Sequence, residues 1–145
     1  MSTRAHPPNL HASTVAFGPQ AGILITGPSG SGKTALALAL IAQGAQLVAD
    51  DQTLVCRVDD ALYARAPRAI AGLMEVRGMG LARLNTRRLA RLRLVIDLGE
   101  GPPQRLPPAQ SRTIAGVALA LLHRPSPRLL PLAIRHYMMA LERDG

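Results

Sequence analysis

Aromatic side chains are nearly absent from this chain of 145 residues, which contains one Phe, two Tyr and no Trp. Proteins that bind single-stranded nucleic acid usually stack the bases on aromatic rings. The scarcity therefore argues against nucleic acid as a partner, although a formal net charge of +8 would favour a polyanion. It also predicts a core of aliphatic side chains and methionine, in a chain long enough for one domain.

Cysteine and long apolar runs are also scarce. Cys56 is the only cysteine, so the chain forms no internal disulfide, and a reducing compartment is expected. We expect Cys56 itself to be packed within a strand. No stretch approaches the roughly 20 apolar residues of a membrane span, and residues 1–11 lack the apolar centre of a signal peptide. These absences predict a cytoplasmic protein without a membrane span.

Lysine is as rare as cysteine, since only one of the 17 basic residues, Lys33, is a lysine. It lies in the run Gly27-Pro28-Ser29-Gly30-Ser31-Gly32-Lys33-Thr34, which matches the phosphate-binding loop pattern and which we call the phosphate loop. An apolar strand-like run precedes the loop and strong helix formers follow it, as the pattern requires. The glycines let backbone N–H groups approach phosphate oxygens, and the helix N-terminus adds partial positive charge. We predict that Lys33 reaches the β- and γ-phosphates of a nucleotide and that the Thr34 hydroxyl binds Mg²⁺.

Patterns around the phosphate loop predict an α/β sheet. Residues 10–17 and 23–26 read as a hairpin, and a helix over 33–43 leads to a strand over 46–49. The strands before and after the helix should run parallel and end at the same sheet edge. Residues 50–51 should therefore lie beside the phosphate loop, where ligands of open α/β sheets bind.

The remaining chain predicts further short elements around this unit. Residues 1–9 read as a flexible lead. Glycine-rich residues 69–84 favour a loop, with at most a short turn or strand end. The other expected elements are strands over 53–58, 61–66, 91–98 and 114–122, a proline-rich loop over 99–108, and an amphipathic helix over 129–143.

Acidic residues number only nine, so the candidates for acid–base or metal chemistry are few. They are Asp50, Asp51, Glu75 and Asp97. Adjacent strand residues point to opposite sides, so one of Asp50 and Asp51 can face Mg²⁺ while the other faces an acceptor oxygen. A solvated acidic turn is the alternative for this pair. His11 either lies near the pair or merely begins a strand.

Four features in order resemble the catalytic domain of the HPr kinase/phosphorylase family, in its short, catalytic-domain-only form. They are His11, the phosphate loop, the run Leu47-Val48-Ala49-Asp50-Asp51, and the run Ile70-Ala71-Gly72-Leu73-Met74-Glu75-Val76-Arg77-Gly78-Met79-Gly80. The resemblance implies a phosphoenolpyruvate-carboxykinase-like α/β fold over residues 10–145, with a mixed sheet and flanking helices in a single domain. It also implies an ATP- and Mg²⁺-dependent kinase for a serine of HPr, the phosphocarrier of the sugar phosphotransferase system. In that family the same residues can run the reverse phosphorolysis.

The resemblance implies a role for each matching residue. Asp51 would take the serine proton, with His11 beside the aspartates and Arg77 near the phosphates. The metal would be held by Thr34, Asp50 and Glu75. The nucleotide phosphates would be held by Gly27, Pro28, Ser29, Gly30, Ser31, Gly32, Lys33 and Thr34.

Other functions remain open on sequence grounds. One is a regulatory module that senses ATP with little turnover. Another is a small-metabolite kinase, because such kinases usually have a lid with several arginines and residues 87–93 would resemble that lid. That basic stretch can equally be a solvated face. The chain is also compatible with a homo-oligomer.

Overall fold

The computed structural model describes residues 8–68, 71, 73–76, 80–83, 86–104, 106–124 and 130–144. The strands in these ranges are β1 (Asn9–Leu10), β2 (Ala12–Ala16), β3 (Gly22–Thr26), β4 (Gln46–Ala49), β5 (Thr53–Val58), β6 (Ala61–Arg65), β7 (Leu73–Val76), β8 (Gly80–Arg83), β9 (Ala90–Asp97), β10 (Gln110–Ile114) and β11 (Val117–His123). The helices are α1 (Lys33–Ala42) and α2 (Leu130–Asp144). In this part of the chain neither helix has the length and apolar character needed to cross a bilayer.

A mixed sheet dominates the fold, with the strand order β1-β5-β6-β9-β3-β2-β4 and with β10 and β11 added alongside β9. Strands β3, β9 and β11 are mutually parallel, whereas β2 is antiparallel to both β3 and β4. The ends of β3, β4, β9 and β11 and the start of β2 therefore share one edge of the sheet. The prediction of a single α/β unit with a mixed sheet and flanking helices is confirmed.

The predicted strand–helix–strand unit has one unexpected feature. Strands β3 and β4 run in the same direction, as predicted, but β2 lies between them and pairs with each. The predicted hairpin of β2 and β3 is confirmed, with Ala12 opposite Thr26. Local patterns fix the direction of a strand but not which strand pairs with it, so the insertion of β2 was not foreseen.

Two apolar layers hold the sheet, one on each face. On one face, α1 and α2 bury Leu40 and Ile134 in a shared cluster that includes Ile23 of β3. On the other face, β5 and β6 cover Leu24 of β3 with Val55 and other aliphatic side chains. Because neighbouring side chains of β3 belong to clusters on opposite faces, this strand is buried on both sides, which is typical of the centre of a parallel sheet.

The glycine-rich residues 69–84 were expected to form a loop, and that expectation is wrong for part of the range. Strands β7 and β8 form an antiparallel hairpin in which Leu73 is opposite Arg83. Gly80 begins β8, so this glycine lies at a strand end, where it costs less than in the interior. Glycine count alone therefore overestimates loop content here.

The apolar run over 114–122 was expected to form one strand, and this is also wrong. The chain turns at Ala115 and Gly116, whose φ angles are 50° and 82°. Positive φ at both central residues suits a two-residue hairpin turn, so β10 and β11 pair across it. Alanine is an uncommon turn former, and for that reason the turn was hard to recognise from local residue types.

Two smaller expectations concern Cys56 and the N-terminal lead. Cys56 is exposed, not packed, because Thr53 and Val55 occupy the inward positions of β5 and alternation sends Cys56 outward. Within the expected flexible lead, residues 1–7 lie outside the described ranges. Asn9 belongs to β1 and is opposite Leu54.

Candidate active site

The phosphate loop follows β3 with a backbone that only glycine adopts readily at several positions. The φ angles are 146° at Gly27, 82° at Gly30 and 102° at Gly32. A Cβ at position 27 would lie 2.6 Å from Ser31 Oγ, whereas nothing lies within 4 Å of a Cβ built at Gly30 or Gly32. The loop is therefore tight at its start and open where its backbone would face a ligand.

Polar groups of the loop are arranged to receive an anion. Lys33 is only 7% exposed, and its Nζ donates to the carbonyl oxygens of Gly27 at 2.7 Å and Pro28 at 3.2 Å. Within the described residues, no side chain caps the N-terminus of α1, and the buried Ser31 Oγ has no hydrogen-bond partner. Free N–H groups, an unpaired hydroxyl and an ammonium together fit a nucleotide's phosphates.

The two aspartates after β4 lie in a tight turn. The Gln52 N–H donates to the Asp50 carbonyl oxygen at 2.8 Å, and Asp51 has a φ of 67°, which together define a γ-turn of the uncommon kind. Asp50 is 9% exposed, whereas the Asp51 side chain is 61% exposed. The two carboxylates therefore differ in surroundings, as predicted, but the cause is the turn after β4 and not the alternation of side chains along a strand.

Ser13 of β2 connects the two aspartates. Its buried hydroxyl donates to Asp50 Oδ1 at 2.9 Å and accepts from the Asp51 backbone N–H at 3.1 Å. One side chain thus fixes both the buried carboxylate and the strained turn that exposes the other. No sequence motif includes Ser13, and only the pairing of β2 with β4 would have identified it.

His11 lies in the bend between β1 and β2, next to Asp51. Its Nδ1 is 3.4 Å from Asp51 Oδ1, and both side chains are more than half exposed. An exposed pair of this kind adds little stability. The contact does orient Asp51, and it decides between the two alternatives that the sequence left open for His11 in favour of a position beside Asp51.

Strand pairing brings these groups together at one sheet edge. Ala12, next to His11, is opposite Thr26, which immediately precedes the phosphate loop. On its other side β2 pairs with β4, with Thr14 opposite Ala49. The aspartates therefore lie about two strand spacings, or roughly 10 Å, from the strand that carries the loop.

A second polar cluster lies at the same edge, where β9 ends beside β3. Arg112 of β10 contacts Asp97 Oδ2 through Nη2 at 2.6 Å and Thr26 Oγ1 through Nη1 at 3.3 Å. Asp97 Oδ1 also accepts from the Gly99 N–H at 2.8 Å. Asp97 was among the sequence candidates, but Arg112 was missed because it reaches this edge only through the β10–β11 hairpin.

The surroundings of Asp97 change its acidity. Burial alone would raise the pKa of this carboxyl. The hydrogen bonds from Arg112 and Gly99 and the positive charges of Arg112 and His123 outweigh burial, and the pKa lies below its ordinary value. Asp97 is therefore a structural anion that ties β9 and β10 to the start of the phosphate loop.

The donor chemistry for a metal is that of hard oxygen ligands. A Thr34 hydroxyl and an Asp50 carboxylate suit Mg²⁺, which is usually held by few protein oxygens together with phosphates and water. The described residues contain no group of three or more His, Cys, Asp or Glu side chains that could hold a metal ion. Glu75 lies in β7 opposite Leu81, and Arg77 lies outside the described ranges.

Comparisons with known proteins find relatives by sequence. The family described as HPr Serine kinase C-terminal domain matches residues 5–98. An HPr kinase/phosphorylase of Aromatoleum aromaticum is 42% identical over 99 residues, covering 59% of this chain and 32% of the relative. One from Clostridium beijerinckii is 46% identical over 65 residues, covering 45% of this chain and 22% of the relative. The chain thus spans about a third of the length of the first of these relatives.

A solved structure supports the fold over nearly the whole chain. The Hpr(Ser) kinase/phosphatase from Coxiella burnetii superimposes with a TM-score of 0.78 and 26% sequence identity. The match covers 95% of this chain and 99% of the solved chain. The resemblance carried by the motifs at the sheet edge therefore extends to the architecture that holds them.

Proposed function

Because the chain belongs to the HPr Serine kinase C-terminal domain family, we propose that it is an ATP- and Mg²⁺-dependent kinase acting in the cytoplasm. Its acceptor is a serine of an HPr-type phosphocarrier protein. The observation that carries the proposal is the solvent-facing carboxylate of Asp51, held beside His11 at the edge where the phosphate loop begins. An exposed carboxylate can be reached by a hydroxyl on another protein, whereas the buried Asp50 cannot.

Each residue at this edge has a distinct part in phosphoryl transfer. Asp51 takes the proton of the serine hydroxyl as the serine oxygen forms its bond to the γ-phosphorus, and the bond to the leaving oxygen of ADP breaks. Lys33 and the loop N–H groups stabilise negative charge on the phosphates. His11 orients the Asp51 carboxylate, and Ser13 holds the turn that presents it.

The metal would be held by Thr34, Asp50 and Glu75 with the phosphate oxygens. Mg²⁺ supplies charge neutralisation on the phosphates when bound. Asp50 suits this role better than proton transfer, because its carboxylate is buried and accepts a hydrogen bond from Ser13.

The relatives carry the names kinase/phosphorylase and kinase/phosphatase. The same groups could serve the reverse direction here, since the proton acceptor of the forward step becomes the proton donor when phosphoserine is attacked by phosphate. We therefore extend the proposal to this reverse reaction, with Asp51 protonated at its start.

The test is transfer of label from γ-labelled ATP to HPr in the presence of Mg²⁺. We expect label on wild-type HPr and none on HPr whose acceptor serine is replaced by alanine. Addition of a chelator should stop the transfer. If ATP binds but HPr remains unlabelled, the chain is not an HPr kinase, and an ATP-sensing regulatory module becomes the better description.

A further inference from the structure

A cavity of about 620 Å³ lies outside the site described above. Four arginines line it: Arg65, Arg68, Arg87 and Arg88. The described lining contains no carboxylate, and its other members are small, apolar or hydroxyl-bearing. Guanidinium groups at this density without acidic partners favour an anionic ligand.

This cavity adjoins the aspartates. Val48, one of its lining residues, is two positions before Asp50, which limits their Cα separation to about 7 Å. Arg65 is opposite Leu54 in the β5–β6 pair, and Leu54 is three residues after Asp51. Chain reach and strand spacing therefore place Arg65 within about 16 Å of Asp51. A protein whose serine reached Asp51 would extend over these arginines.

The chain segment 86–89 is held firmly at the rim of the cavity. The Arg87 backbone N–H donates to the Leu47 carbonyl at 2.9 Å, and its Nε donates to Gln46 Oε1 at 3.1 Å. Arg65, Arg68 and Arg88 are exposed. The hydrogen bond to Gln46 thus fixes the orientation of the Arg87 guanidinium, while the guanidinium groups of the other three arginines are available to a partner.

The size and the lining favour a segment of polypeptide over a small anion. A second cavity of about 410 Å³ shares Thr86, Arg87, Arg88 and Leu89 and is also lined by Gln46, so the two cavities adjoin, and together we call them the arginine groove. Leu89 is 51% exposed within it. An inorganic anion would make no favourable contact with such an apolar surface. An acidic protein segment that also carries an apolar side chain would match both the arginines and Leu89.

We infer that this arginine groove docks an acidic segment of the phosphoryl-acceptor protein while its serine reaches Asp51. The inference rests on the proposed function, since it names how the acceptor of that same site is held. Exposed charges of this kind act mainly on the rate of encounter and on orientation, and their effect weakens with salt.

The experiment compares two double variants with the same loss of charge. Arg65→Gln with Arg88→Gln alters the groove, whereas Arg135→Gln with Arg143→Gln alters α2 and serves as the matched control. For the groove variant we expect KM for HPr to rise about tenfold at low salt, with kcat and KM for ATP unchanged. The rise should shrink in about 0.5 M NaCl, and the control should behave as wild type.

A binding measurement separates failure of the docking inference from failure of the proposed function. The probe is a fluorescent synthetic peptide of alternating Glu and Leu, measured by anisotropy. If wild type labels HPr but the groove variant keeps the wild-type KM, the docking inference is wrong and the kinase stands. If HPr is never labelled, the kinase proposal fails, and selective loss of peptide binding in the groove variant still supports an acidic-segment site.

Two competitors test the nature of the occupant. Pyrophosphate represents small anions, and a single-stranded oligonucleotide represents nucleic acid. The docking inference is overturned if the wild-type protein binds either competitor more tightly than it binds the peptide, and if this binding is lost in the groove variant but kept in the control variant. The groove would then serve that competitor's class of ligand.

Discussion

Ser13 does more for the candidate site than its ordinary position in β2 suggests. Its hydroxyl is buried and bridges the Asp50 carboxylate and the Asp51 backbone N–H. A buried carboxylate that loses a donor is costly, and a strained turn persists only where its surroundings fix it. Stability and the presentation of Asp51 should therefore depend on the same side chain.

Ser13→Ala is expected to lower the free energy of unfolding by about 1–3 kcal/mol, because a buried charged acceptor loses one of its donors. HPr phosphorylation should also slow, since the Asp51 turn loses its anchor. Urea unfolding and transfer assays measure the two effects. Ser111→Ala, at an exposed position of β10, is the matched control, and an equal loss in both variants would contradict the role of Ser13.

Asp51→Asn separates chemistry from binding. It should reduce transfer to HPr by about 10²- to 10⁴-fold, because the proton acceptor is lost, while nucleotide affinity stays close to wild type. Lys33→Ala should instead weaken nucleotide binding, since the buried ammonium lies at the mouth of the phosphate loop. Titration with a fluorescent nucleotide distinguishes the two. Loss of affinity in Asp51→Asn would assign Asp51 to metal or structure.

Among the elements, β9 and β10 are joined beside the phosphate loop by the ion pair of Asp97 with Arg112. Asp97 ends β9, Arg112 lies in β10, and both are joined to Thr26 at the last position of β3. The lowered pKa of Asp97 means that the folded state favours its ionised form. The contribution to stability is therefore present above the unfolded pKa and is lost as the pH falls through the folded pKa.

Asp97→Asn should consequently be less stable than wild type at pH 7, by about 1–3 kcal/mol, because the charged hydrogen bond to Arg112 is lost. The difference should narrow as the pH falls below about 4, because Asp97 takes up its proton in the unfolded chain first and in the folded protein only at a lower pH. Urea unfolding at neutral and acidic pH measures this difference in the free energy of unfolding. Asp60→Asn in the exposed β5–β6 turn is the control, and a gap that stays constant with pH would refute the assignment.

Over the whole molecule, α2 is part of the same core that supports the phosphate loop. Ile134 and Met138 of α2 share a fully buried cluster with Leu40 of α1. At the far end of the helix, Glu142 accepts a hydrogen bond at 2.7 Å from the Gln20 N–H, beside the turn between β2 and β3. Helices α1 and α2 should therefore unfold together.

Ile134→Ala is expected to lower the free energy of unfolding by about 2–5 kcal/mol, because it leaves a cavity in the shared core. Unfolding should remain a single transition, and nucleotide binding should disappear with the helical signal. Circular dichroism and nucleotide fluorescence followed along one urea titration test this. Leu132→Ala, at a 47% exposed position of the same helix, should cost much less. Separate transitions would show that α2 is an independent unit.

The sequence by itself determined the parts of this protein that depend on neighbouring residues. The glycines and Lys33 of the phosphate loop, the strands around it, and the position of Asp50 and Asp51 at a strand end all follow from local pattern and backbone sterics. The site residues other than the aspartates were harder to predict from the sequence. Glu75 was among the few acidic candidates of the sequence, whereas its role as a metal ligand came only from the resemblance and stays a prediction.

Only the tertiary structure decided which distant groups meet. Strand β2 enters between β3 and β4 and brings Ser13 to the aspartates, and the β10–β11 hairpin carries Arg112 to Thr26. Side chains on β4, β6 and the segment before β9 combine into the arginine groove. Turn propensity and apolar periodicity act within a few residues, whereas strand order is set by burial of the whole sheet between its two apolar layers, which no local pattern encodes.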